Sequence, residues 1–272
     1  MELSEEKRKK VVFGVLPFGT GNDMCTSLGM PWNPENSAKT LINKTAVAPA
    51  SVGKINYPDT RFEVYFGNVF DFGISSLVNL ANDEGEMKWI KGPNKYTLLA
   101  LKKLIQVKQR KGTIRLDDGD PIDFRLMFVT IGVGKAVGGG MLCCVDAHPQ
   151  NDFFDLFITQ NVSKLQTLKG IKTIHKGEHK KMKNTIYTTA KKVEVELESP
   201  IAMEHDGEIY IPEDVSAHVI AKHIPRAYNA LYNTEHPSMK WLTPEELEQG
   251  IKPDGTATSM SHHKGRTWME KN

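Results

Sequence analysis

Residues 17–23 read PFGTGND, and they follow the short apolar run VVFGVL at 11–16. A buried strand that stops at a proline, turns through two glycines and meets an Asn-Asp pair reads as strand, tight loop and helix start. Gly19 and Gly21 let the backbone approach an anion closely or take a positive φ, so the loop can present N–H groups to a phosphate. Thr20 adds a hydroxyl donor and Asn22 can fix the loop. Asp23 can cap the helix or hold a Mg²⁺-bound water. A glycine pair alone is more often a plain strand-to-helix turn.

Working outward, Leu28-Gly29 and Pro31 stop the first helix, and residues 34–44 form a second, with Ala38, Leu41 and Ile42 on one face. From Ala48 the pattern changes. The stretches at 52–58, 62–74, 113–119, 124–134, 153–159, 185–198, 201–211 and 217–224 carry period-2 alternation or β-branched and aromatic enrichment, separated by Gly, Asp, Asn or Pro. So many strands suggest a sandwich or an open barrel. Helical spacing interrupts them at 96–111 and 163–175, and both helices are expected to pack against a sheet. After Ile224 the chain turns polar and irregular; TPEELEQG is a capped helical turn and the end reads as disordered. The expected division is an α/β remnant at 1–47, a β-rich unit at 48–225 and a polar, partly disordered tail at 226–272.

Composition sets bounds. The 272 residues are 39% hydrophobic and 25% charged, ordinary for a soluble globular protein with one large or two modest domains. No run approaches the roughly 18 apolar residues of a membrane helix, and the charged N-terminus has no signal-like apolar core. The reading is a soluble intracellular protein. Three cysteines, Cys25, Cys143 and Cys144, give an odd count that argues against a disulfide framework, and the last two sit in what reads as a strand. The net charge of +2 excludes a general polyanion binder. Basic runs lie at Lys7–Lys10 and His175–Lys183. The second is either a solvated loop or a patch weakly drawn to an anionic membrane surface. The basic residues are not interleaved with stacking aromatics, so nucleic acid is not an expected partner.

Four motifs in order carry a resemblance. PFGTGND resembles the P-x-G-T-G-N-D loop of diacylglycerol kinases and bacterial-type lipid kinases. Phe66-Gly67-Asn68-Val69 with Gly73 is similar to their F-x-N-x-x-x-x-G strand. Gly138-Gly139-Gly140-Met141 with Asp146-Ala147, Asp152 and Asp155-Leu156 is similar to their GGGM…P-D-A…D-G-x-L-D-V segment. His205-Asp206-Gly207-Glu208 resembles their D-G-E turn. The likeness spans roughly residues 11–225. It implies an α+β fold: a partial α/β nucleotide-binding domain followed by a β-sandwich-like domain. It implies ATP and Mg²⁺ as cofactors and a lipid substrate met at a membrane periphery; homo-oligomerisation stays open.

Carried over residue by residue, the resemblance implies that Gly19, Thr20, Gly21 and Asn22 contact the nucleotide. Asp23, Asp146 and Asp152 are metal candidates. Asp206 would take the proton of a lipid hydroxyl, with Glu208 in support, although Asp-Gly is by itself a hairpin signal. Val145 and Phe153 depart from the family's proline and glycine. The family's G-G-D-G-T/S loop lies upstream of the P-x-G-T-G-N-D loop, and the sixteen residues before Pro17 do not form it. Pro253-Asp254-Gly255-Thr256 is a look-alike in the wrong place. The expectation is therefore a poor kinase or none from this chain alone. The alternatives are a non-catalytic lipid- or protein-binding remnant and an NAD-kinase-like enzyme.

Overall fold

The computed structural model describes residues 10–90, 94–212, 217–236 and 240–249. Lys7–Lys9, the Pro253–Thr256 look-alike and most of the expected tail lie outside the described residues. In chain order the elements are β1 (Val12–Phe13), α1 (Asp23–Ser27), α2 (Pro34–Asn43), β2 (Thr45–Tyr57), β3 (Phe62–Phe66), β4 (Val69–Gly73), α3 (Ile74–Asp83), α4 (Asn94–Gln106), β5 (Arg110–Leu116), β6 (Ile122–Gly132) and β7 (Phe154–Gln160). They continue with α5 (Lys164–His175), a 3-10 turn (His179–Lys181), β8 (Thr185–Ala190), β9 (Lys192–Leu197), β10 (Met203–His205), β11 (Glu208–Tyr210), β12 (Ala217–Asn233) and α6 (Pro244–Glu248).

The strands form one hydrogen-bonded network in the order β11-β10-β4-β6-β5-β9-β12-β2-β3, with β1 joined to β12 and β7 bridging β6 and β8. Two long strands change partners along their length. β6 pairs with β5 near its start and with β4 toward its end, while β7 lies along it as well. β12 pairs with β9 through its first half, with β1 near its end and with β2 over 220–224 and 228–233. Such branching curls the network over itself, so side chains from opposite stretches share a core. Ile55, Phe66, Phe70, Phe72, Phe154, Leu156 and Val195 lie at its centre. The fold class is the expected α+β arrangement with a curled β-rich body.

Several local expectations change. β1 is two residues long and exposed, Val12 at 41% and Phe13 at 55%, not a buried strand. It pairs in parallel only with Asn229 and Ala230. The inner face of α2 is Ser37, Thr40 and Leu41, while Ile42 points outward. Cys143 and Cys144 are both buried, in a loop rather than a strand. The last strand does not end at Ile224. It bulges at 224–228, where Pro225 cannot donate to the ladder and Arg226 takes φ 52°, and then resumes to Asn233. That resumption carries Ala230 and Tyr232 into a second core with Cys25, Leu28, Met30, Ala48, Ala50 and Trp241. Packing thus runs across both expected boundaries, 47/48 and 225/226. Helix α3 was not expected at all. Its sequence ISSLVNLAND follows Gly73, whose φ of 115° and close approach to the Met127 carbonyl leave no room for a side chain.

Candidate functional site

The four motifs meet, and side-chain to backbone hydrogen bonds join them. Asp23, the first residue of α1, turns its carboxylate onto the glycine loop: Gly139 N–H donates to Oδ2 at 3.0 Å and Gly140 N–H to Oδ1 at 2.7 Å. Gly138, Gly139 and Gly140 all have positive φ, so consecutive amides form a concave nest of the kind that holds an anion. Burial raises the proton affinity of Asp23, and the glycine amides oppose that.

One turn later, Ser27 Oγ donates to Asn68 Oδ1 at 2.7 Å, and Asn68 Nδ2 donates to the Ala136 carbonyl at 3.0 Å. The Ser27 hydroxyl also accepts from Lys135 N–H at 3.2 Å. Gly134 is glycine because a Cβ there would overlap both the Asn68 amide and the Ser27 hydroxyl.

Asp206 closes the third link. It sits at φ 52° in the β10–β11 turn, and its carboxylate points back at the strand carrying Asn68. Oδ2 accepts from Gly67 N–H at 2.6 Å; Oδ1 accepts from Asn68 N–H at 3.0 Å and Val69 N–H at 2.8 Å. The turn is at the surface, but the surrounding protein desolvates the carboxylate and raises its pKa against the lowering by those amides. Met24 of α1, Asp206 and Tyr228 of β12 crowd around Gly67: a Cβ on that glycine would lie 3.5 Å from the Met24 methyl and 3.8 Å from both Asp206 Oδ2 and the Tyr228 hydroxyl. The 17–23 loop and the D-G-E turn therefore share one wall.

The other expected residues fall as follows. Gly19 and Thr20 are exposed, and Gly19 N–H donates to Asn22 Oδ1 at 3.0 Å, so Asn22 fixes the loop. Asn22 is the N-cap residue of α1 in left-handed conformation, without a side-chain cap bond. Glu208 is exposed on β11. The three metal candidates are not brought together. Asp23 is held by the glycine amides, Asp146 is ion-paired with Lys180, and Asp152 with Arg226 at 3.2 Å. Among the described residues, one group of three has ligand atoms close enough for a metal, Glu194, Glu196 and His218. It lies on β9 and β12, where Lys192 and Arg115 already neutralise Glu194. A cavity of about 760 Å³ also lies there, lined by Lys111, Thr113, Arg125, Glu196 and His218, away from the motif wall.

Sequence reading missed three residues. Asp71 and Glu204 are directly paired across β4 and β10 and are buried, at 1% and 6% exposure. Burial and, for Asp71, the neighbouring Glu204 charge raise their pKa values. Ser75 donates to Asp71, and Asn79 Nδ2 donates to Glu204 at 2.5 Å, both from α3. Tyr228 presents a buried hydroxyl with no hydrogen-bond partner among the described residues, close enough to Asp206 for its charge to raise the phenol's pKa. Asp71 is visible in sequence as a lone acid in an apolar strand; Tyr228 lies beyond the point where the strand signal lapses.

Comparison with known proteins gives the family and the fold. Residues 68–230 match the family described as "YegS C-terminal NAD kinase beta sandwich-like domain", and residues 2–55 match "Diacylglycerol kinase catalytic domain". The chain is 29% identical over 209 residues to a diacylglycerol kinase of Mycobacterium tuberculosis, covering 76% of this chain and 66% of that protein. It is 27% identical over 197 residues to a diacylglycerol kinase of Bacillus subtilis, covering 72% of this chain and 62% of that protein. It thus spans just under two thirds of the length of these relatives. A diacylglycerol kinase structure from Bacillus anthracis superposes with a TM-score of 0.55 at 18% identity, covering 82% of this chain and 67% of that one, a likeness of fold.

Proposed function

This chain belongs to the diacylglycerol kinase and YegS-like family of lipid kinases, and on that premise we propose that it serves ATP-dependent phosphorylation of a lipid hydroxyl. The substrate class is a lipid alcohol such as diacylglycerol, and the product a phosphatidic acid. One observation carries the reading: the 17–23 loop, the Gly67–Val69 strand, the Gly138–Gly140 nest and Asp206 form a single hydrogen-bonded wall.

On this reading Asp206 is the general base. Two amides occupy Oδ1 and one occupies Oδ2, which leaves a lone pair of Oδ2 for the incoming hydroxyl. The amides fix the carboxylate, while desolvation keeps its proton affinity high enough to accept a proton as the phosphorus–oxygen bond forms. Glu208 lies two residues on and orients groups at the nucleotide. The exposed Gly19–Asn22 loop meets the phosphates, and the Tyr228 hydroxyl donates to a ligand oxygen.

Mg²⁺ fits part of this wall. Asp23 and Asp206 have no ion-pair partner among the described residues, which suits a cation that arrives with the nucleotide. Asp146 and Asp152 do not fit a dedicated cage, since Lys180 and Arg226 neutralise them. When bound, Mg²⁺ supplies charge neutralisation at the phosphates.

A non-catalytic lipid- or protein-binding role is the second reading. It is favoured by the self-satisfied state of Asp23, whose carboxylate already fills the glycine nest. Two measurements separate the readings: Mg-ATP protection against thermal unfolding, and transfer of labelled phosphate to mixed lipids. Protection with transfer supports the kinase; neither, in a folded protein, overturns it.

A further inference from the structure

Helix α4 is apolar on two sides. Leu99 and Leu104 are buried, Leu104 beside Val107, Met127 and Val162, and this anchors the helix to the sheet. Leu98, Leu101 and Ile105, spaced i, i+3 and i+7, point the other way and are 41%, 41% and 64% exposed. The neighbouring α5 repeats this with Leu165 and Leu168, 60% and 43% exposed. Lys164 at the start of α5 bonds the Ile105 carbonyl, so the two ridges lie side by side. Trp89, 82% exposed, projects from the turn that Glu86 fastens to Lys102 and Lys103 of α4, each at 2.6 Å. The core needs none of these six outward side chains, and apolar surface gathered in this way marks a contact face.

The charge around the ridge says what covers it. Neither α4 nor α5 contains an Asp or Glu. Lys169 is exposed within α5, Lys108, Lys176 and Lys183 are exposed just beyond the two helices, and no ion pair holds these four among the described residues. The basic run at 175–183 starts at the last residue of α5; His179 and Lys180 are engaged by the Cys143 carbonyl and Asp146, and Lys176 and Lys183 stay exposed. The chain as a whole carries only +2, so the absence of acids from these two helices is a local feature. A second copy would set like charge against like. An exposed tryptophan, aliphatic side chains and a rim in which lysines outnumber the acids, Glu178 and the lysine-paired Glu86, complement the headgroup layer of an anionic bilayer.

We infer that the α4–α5 ridge is a membrane-docking face that seats on an anionic lipid surface, inserting Trp89, Leu101, Ile105 and Leu165 while the lysines meet lipid phosphates. This rests on the lipid-kinase reading for its purpose, and its test does not use catalysis.

The 272-residue chain is sedimented with phosphatidylcholine vesicles and with vesicles that also contain phosphatidylglycerol. Expected are binding to the anionic vesicles, at least tenfold weaker binding by Leu101→Gln/Ile105→Gln, and loss of salt sensitivity in Lys169→Gln/Lys176→Gln. Circular dichroism checks that the variants, all at exposed positions, stay folded. The proposal is overturned if the wild-type chain ignores anionic vesicles or if the Gln pair at 101 and 105 binds like wild type. It is also overturned if sedimentation equilibrium shows a dimer that this pair dissolves. Phosphorylation of detergent-dispersed lipid, read separately, shows whether the kinase reading itself fails.

Discussion

Replacing Asn68 by alanine tests the wall at its most buried link. The Asn68 amide accepts from Ser27 Oγ at 2.7 Å and donates to the Ala136 carbonyl at 3.0 Å, and the side chain is 6% exposed. Truncation strands a buried hydroxyl and a buried carbonyl. Each costs about 1–3 kcal/mol, so the expected loss is about 2–6 kcal/mol before any relaxation. Against a typical total stability of about 5–15 kcal/mol this is large. With a urea m-value of about 3 kcal/mol/M, the unfolding midpoint falls by about 0.7–2 M at unchanged slope. Ser27→Ala in the Asn68→Ala background should cost less than in wild type, leaving a coupling of about 1–2 kcal/mol in a double-mutant cycle. A midpoint shift under about 0.3 M, or simple additivity of the two changes, refutes the view that this pair ties the helix to the strand.

Three other outcomes follow from the site. Tyr228→Phe removes a hydroxyl without a hydrogen-bond partner among the described residues, so thermal stability should hold or rise while lipid-kinase turnover falls; a lowered melting temperature contradicts this. Asp206→Asn should cut turnover by about 100-fold or more, as expected for loss of a general base, and also lower the melting temperature, because an amide facing Gly67 N–H cannot accept its bond; unchanged turnover removes Asp206 from the chemistry. Asp155 is pushed up from 3.8 to about 7, chiefly by burial, so the folded state holds a proton that the unfolded chain releases. Its contribution is fully present below about pH 4 and is lost as pH rises toward 7, on the order of 4 kcal/mol in total. Asp155→Asn should flatten that decline in denaturation curves taken at stepped pH, and an unchanged slope counts against it.

Much of the architecture was legible because the strands obey period-2 alternation with turn residues between them, and the stretches at 62–74, 185–198 and 201–211 each resolved into two strands. The capped helices were equally plain: Ser163 and Thr243 make capping boxes with Gln166 and Glu246. What failed has local physical causes. Pro225 breaks the ladder, and only tertiary pairing with β2 restores it, so the end of β12 read as tail. VVFGVL looked buried because composition cannot show how little of it is covered. In the site, motif order pointed to the right segments, but not to how Asp23, Asp146 and Asp152 are used. That depends on Gly139, Lys180 and Arg226, which lie far away in sequence. The Asp71–Glu204 pair is invisible without the register between β4 and β10.

The seating of Asp23 in the glycine nest and of Asp206 on the Gly67–Val69 amides has an evolutionary corollary. These signature residues are also the rivets of the architecture. A descendant that had abandoned chemistry would still be selected to keep them, simply to fold. Persistence of the signature in a lineage is therefore poor testimony to catalysis, and a hydroxyl such as that of Tyr228, which bonds nothing among the described residues, is the more telling witness.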